Sequence, residues 1–102
     1  MTTTLHIDNT VRDFDTWKTV FDKFDRMRAE HKVLSYRVSR VREAPDRVFI
    51  DLDFATLPDA EAFRDTLRKV TASPQSQALL TSHAAHIVDV VDEQVPGATR
   101  TA

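Results

Sequence analysis

Arg47-Val48-Phe49-Ile50-Asp51-Leu52-Asp53-Phe54-Ala55 alternates without a break. Val48, Ile50, Leu52 and Phe54 fall on one side, and Phe49, Asp51 and Asp53 on the other. A period of two is the mark of a strand with one buried face. Upstream, Glu43-Ala-Pro-Asp46 carries turn chemistry, because proline presets φ and aspartate suits the following positions. Before the turn, Val33 to Arg42 repeats the alternation, with Leu34, Tyr36 and Val38 against Ser35, Arg37 and Ser39. The pair predicts two consecutive strands joined by a short turn.

Working outward, Phe14, Trp17, Val20, Phe21, Phe24, Met27 and His31 recur at steps of three and four, the stripe of an amphipathic helix about five turns long. Asp13 is placed to cap its start. Downstream, Pro58 opens a second helix whose stripe is Leu57, Ala60, Phe63, Leu67 and Val70. Ser73-Pro74 reads as a fresh cap and first residue of a short helix through Leu80. Thr3 to Asn9 and Ala85 to Gln94 read as the outer strands in sequence. On that parity His86 goes with Val88 and Val90 and should point toward the helices.

The order β-α-β-β-α-β predicts an α+β, ferredoxin-like sandwich: a four-stranded antiparallel sheet, strands one and three central, two main helices on one face. Residues 1–95 are expected to form this single domain and 96–102 a flexible tail.

Composition narrows the function. The 102 residues include one glycine, Gly97, and no cysteine. Glycine-built phosphate cradles, disulfides, thiolate metal sites and cysteine nucleophiles are therefore excluded. A net charge of −2 carries no electrostatic footprint for nucleic acid. Asp51 and Asp53 stand where an RNA-reading strand would display aromatics. No apolar run is long enough for a membrane span, and Met1–His6 lacks the pattern of a leader, so the expectation is a cytoplasmic protein with no nucleic-acid or membrane partner.

Trp17, Phe21, Phe24, Tyr36 and Phe63 can converge between sheet and helices, the aromatic wall that a flat organic ligand needs. Ordinary core packing would use the same residues. Asn9 and His31 could rim such a space, and Tyr36 and His86 are the candidates for catalysis. The pair His83 and His86 lacks a third ligand, so no metal site is assigned. The other sheet face should carry Asp8, Asp51, Asp53 and Asp89, as a solvated or dimer-paired surface or as a cation site.

The chain resembles the dimeric α/β-barrel superfamily, which holds antibiotic-biosynthesis monooxygenases, stress-responsive barrel proteins and cyclase-like relatives. The resemblance spans residues 3–94 and rests on the element order, Asp13-x-Asp15-x-Trp17-Lys18-x-x-Phe21-Asp22, Tyr36-Arg37-Val38, and Asp59-Ala-Glu-Ala-Phe63 followed by Ser73-Pro74. It implies a homodimer with sheets face to face and a small-molecule pocket between each sheet and its own helices. In the haem-degrading branch, an Asn on the first strand acts with a Trp and a His farther on; Asn9 fits, but Thr66 and Ser76 stand where the other two would fall. The implied activity is therefore that of a cofactor-independent monooxygenase or cyclase, with no cofactor; the reading of the residues themselves makes Tyr36 and His86 catalytic and Asn9, Trp17, Phe21, Phe24 and Phe63 substrate-binding. The alternative is a non-catalytic ligand-binding or structural dimer.

Overall fold

The computed structural model describes residues 2–97. From residue 98 onward the expected tail lies outside the described residues. The elements are β1 (Thr3–Val11), α1 (Phe14–Lys23), α2 (Asp25–Glu30), β2 (Ser35–Val41), β3 (Ala44–Phe54), α3 (Leu57–Thr71), α4 (Pro74–Leu79) and β4 (Leu80–Asp89). The sheet order is β2-β3-β1-β4 with every neighbouring pair antiparallel. This is the α+β ferredoxin-like arrangement, with β1 and β3 central as expected.

The alternation in β3 does what it predicts. Val48, Ile50, Leu52 and Phe54 are buried, and Leu5 and Ile7 of β1 lie directly across from Leu52 and Ile50. Trp17 of α1 and Ala60 and Phe63 of α3 close over them. Each large side chain buried here contributes about 1.5–3 kcal/mol, so the helices are held by this face of the sheet. The caps also follow the sequence. Asp13 accepts from the Thr16 N–H at 3.2 Å, and Ser73 accepts from the Ser76 N–H at 3.3 Å. Thr56 caps α3 through the Asp59 N–H.

Four local features differ from expectation. The five-turn helix is broken at Phe24 into α1 and α2. There the Phe21 carbonyl accepts from the Phe24 N–H at 3.2 Å in a tighter turn, and from the Arg28 guanidinium. A side chain inserted into the helix ladder is a recognised cause of a kink.

The hairpin turn is Arg42-Glu43, not Glu43–Asp46, because Val41 already pairs with Ala44. Pro45 and Asp46 fall in a bulge of β3, where proline's missing N–H interrupts nothing, and the Pro45 carbonyl accepts from Arg40 Nε at 3.1 Å. Leu34 stands before β2 with 65% of its surface exposed.

The last strand runs five residues earlier than predicted, Leu80–Asp89 instead of Ala85–Gln94. Its extent is set by its partner: Asp89 already lies opposite Thr3, where β1 begins.

Finally, the faces of β4 are exchanged. Ile87, Ala85 and His83 oppose Leu5, Ile7 and Asn9 on the helix side. His86 opposes His6 on the open side, and Asp89 shares the side of Thr3 rather than that of Asp8. Val88 and Val90 misled the parity, since Val88 faces outward with 42% of its surface exposed and Val90 lies beyond the strand. A bulge accompanies the change: Thr10 pairs with Ser82 but Val11 with Leu80, leaving Thr81 as the extra residue.

Candidate functional site

Between the sheet and the helices lies a cavity of about 150 Å³. Its floor is Ile7 and Asn9 of β1 with Ile50 and Leu52 of β3. Trp17 and Phe21 of α1 form one wall, Met27 and Arg28 of α2 continue it, and Phe63, Leu67 and Val70 of α3 form the other. Phe24, at the helix break, and Val70 both line it and both reach solvent, so its mouth opens between them. Both walls are backed by ring contacts: Phe14 to Trp17 and Trp17 to Phe21 have centroids 5.9 and 5.0 Å apart on one side, and Phe54 lies 5.6 Å from Phe63 on the other.

Of the residues predicted from the sequence, Asn9, Trp17, Phe21, Phe24 and Phe63 all line this space. His31 does not line it, but its ring stands edge-on to Phe63 at 6.2 Å. Tyr36 is also outside the lining, with 38% of its surface exposed and its hydroxyl donating to Asp25 Oδ1. That hydrogen bond to a carboxylate, seconded by burial, raises the Tyr36 pKa above the ordinary tyrosine value and keeps the hydroxyl protonated. His86 is on the wrong side of the sheet, and its expected place toward the helices is corrected by the register of β4.

Two polar groups not expected from the sequence take the prominent positions. His83 Nδ1 lies 2.6 Å from Asn9 Oδ1. With Oδ1 as acceptor, Nδ1 carries the proton, and the Asn9 amide nitrogen is turned away from His83. Burial lowers the His83 pKa below 6.5, which favours the neutral ring. His83 itself borders a second depression, shared with Arg64 and Arg68, that meets the cavity at Leu67 and Thr71. The signal for His83 was its alternation with Ala85 and Ile87.

Arg28 is the second group. It is 4% exposed and lies among apolar side chains. Its guanidinium carbon sits 3.5 Å from the centroid of Phe21 and 4.9 Å from that of Tyr36. Burial lowers its pKa below the ordinary arginine value, opposed by Tyr36, Asp25 and Asp22. Its signal was spacing: it stands seven residues after Phe21 and four after Phe24, on the apolar stripe.

The open face of the sheet pairs its charges within the chain. Asp8 and Arg47 meet at 2.7 Å, and the Arg47 hydrogen bond holds the Asp8 carboxyl below its ordinary pKa. His6 meets Asp51 at 2.7 Å, and Asp53 accepts from Thr4 at 2.6 Å and Ser35 at 3.2 Å. Among the described residues no three His, Asp or Glu side chains converge as a metal site, and no helix is long and apolar enough to cross a membrane.

No family model matches the chain, and neither does any curated protein. Among solved structures it is similar to one from Nitrosomonas europaea named "putative antibiotic biosynthesis monooxygenase", at a TM-score of 0.69 over 88% of this chain and 90% of that one. The two share 12% identity, so the likeness is one of fold. The α+β sandwich expected from the element order is thus a fold that a solved protein of that name shares.

Proposed function

We propose that this chain binds a small aromatic molecule in the cavity between sheet and helices. The observation that carries the proposal is an apolar, aromatic-walled space with an open mouth and two placed polar groups, Asn9 and Arg28. Such a space, with few polar groups to orient a ligand, is the general form of a small-molecule site. A volume near 150 Å³ accommodates about one aromatic ring, with any further part of the molecule extending past Phe24 and Val70.

The activity we propose for it is that of a cofactor-independent monooxygenase or cyclase, in line with the name of the structural neighbour. An oxygenation without cofactor draws its electrons from the substrate: a ring CH2 becomes C=O while the second oxygen atom leaves as water. Trp17, Phe21 and Phe63 would hold the ring, Asn9 would orient an oxygen on it, and His83 would position Asn9. A second reading, non-catalytic binding, is favoured by one fact: no histidine or carboxylate lines the cavity to serve as a base. Oxygen uptake measured with one-ring and fused-ring phenols tests the first reading. Ligand binding without oxygen consumption or product would leave the second.

We also propose a homodimer formed through the open sheet face. The Asp8–Arg47 ion pair and the hydrogen bonds that Asp51 and Asp53 accept within the chain support it, because that face satisfies much of its own polarity. Phe49, its ring tilted against His6 with centroids 5.4 Å apart, would sit within it. Sedimentation of the wild type as a dimer and of Phe49→Glu as a folded monomer is the expected result; a wild-type monomer at micromolar concentration refutes it.

A further inference from the structure

Arg28 poses a problem that its own chain does not solve. The side chain is almost wholly buried, yet no carboxylate lies within ion-pair distance of it among the described residues. One terminal nitrogen, Nη2, donates to the Phe21 carbonyl, but Nη1 is buried with no hydrogen-bond partner. A buried polar group left unpaired is costly, and a buried charge more so. Stacking on Phe21 and Tyr36 offsets part of this cost but leaves the donor unfilled.

The rest of the polar lining points the same way. Asn9 spends its acceptor oxygen on His83 and turns its amide donor elsewhere. The Trp17 indole, a donor only, makes no hydrogen bond among the described residues. The hydroxyls of Thr66 and Thr71 donate to helix carbonyls. The unspent donors of the lining are thus those of Arg28, Asn9 and Trp17, and the one charge lining the cavity is positive.

We infer that the cavity is built for an aromatic oxyanion, a one-ring carboxylate or phenolate whose oxygen is received by Arg28 Nη1. The inference rests on the proposed binding of an aromatic molecule and names the class to which that molecule belongs. It also answers the missing base: a neighbouring guanidinium lowers a phenol's pKa, so the ligand is held as the anion and its proton is released to solvent water. Arg28 is then the group that orients the ring and holds its negative charge, and the helix break that brings Arg28 to the Phe21 carbonyl is what aims it inward.

The test is a calorimetric comparison of benzoate, 4-nitrophenolate and benzyl alcohol on the wild-type protein, above the pKa of the phenol. At least one anion should bind about tenfold or more tightly than benzyl alcohol, the ratio expected of a charge-assisted hydrogen bond. The tighter of the two anions identifies the oxyanion as carboxylate or phenolate. Arg28→Met should abolish the preference, so that anion and benzyl alcohol bind that variant within about twofold of one another. Because Arg28 also supports the helix break, a direct readout on the wild type accompanies it: the Arg28 guanidinium nitrogen resonances should shift on titration with the preferred anion. Equal binding of anion and alcohol overturns the inference and leaves the aromatic site standing. An anion that binds without moving the Arg28 resonances overturns it as well. If none of the three probes binds, both readings fall.

Discussion

His83 and Asn9 tie the edge strand β4 to the central strand β1 through a 2.6 Å side-chain hydrogen bond on the helix side of the sheet. The bond engages the side-chain oxygen of Asn9, and so it fixes the orientation of an amide that lines the cavity. Losing His83 therefore loosens a strand and a binding group together.

The pH dependence of stability follows from the same pair. Burial lowers the His83 pKa in the folded chain below 6.5, so the unfolded chain takes up the proton first. Its contribution is complete above pH 6.5 and is lost as pH falls toward the lower folded value. Urea midpoints across this range should decline with acidification, and His83→Gln should flatten that part of the profile. A His83→Gln profile parallel to the wild type would refute this role.

Lys32 is the one described non-glycine residue with positive φ, at 70°. It follows α2 in a Schellman turn: the Val33 N–H reaches the Arg28 carbonyl at 3.1 Å and the Lys32 N–H the Ala29 carbonyl at 3.2 Å. Glycine suits that backbone better, and the Lys32–Asp59 pair that would be lost is solvent-exposed at 3.5 Å. Lys32→Gly should stabilise the protein by about 0.5–1 kcal/mol, seen as a higher urea midpoint at unchanged slope.

Phe63 is buried against Phe54 and lines the cavity. Phe63→Ala should cost about 3–4 kcal/mol and enlarge the space so that a fused two-ring ligand gains affinity relative to a one-ring ligand. Thermal unfolding measures the first effect and calorimetry the second.

Tyr36 separates the cavity from its surroundings as a control. Its hydroxyl is held by Asp25 outside the lining. Tyr36→Phe should remain folded and bind a cavity ligand within about twofold of wild type, because a mostly exposed hydrogen bond is worth about 1 kcal/mol or less. A loss of binding beyond tenfold would place Tyr36 in the site after all.

The legible part of this chain was whatever rests on uninterrupted periodicity. Val48 to Phe54 announced a central strand, and Phe14 to Phe21 with Asp13 announced a capped helix, because burial on one face leaves a regular trace. The aromatic lining was legible for the same reason. Tertiary relations left no such trace. Nothing local marks Thr81 as a bulge residue or shows that Val88 faces outward, since an edge strand can be apolar on either side. Arg28 was hidden by its charge, which reads as surface until the break at Phe24 turns it inward.

The bulge at Thr81 has a consequence beyond the shape of the strand. Counting by twos from Leu80, which faces inward opposite Val11, reaches Ser82, Ala84 and His86. The one extra residue, anchored by its hydroxyl to the Thr10 carbonyl at 3.2 Å, shifts the count and presents His83 instead. Strand β4 thus carries two histidines and a single-residue selector that decides which of them the interior receives. Deleting Thr81 would straighten the strand and leave His83 opposite Asn9; only a strand that kept Thr81 and ran through it without the bulge would turn His86 inward instead.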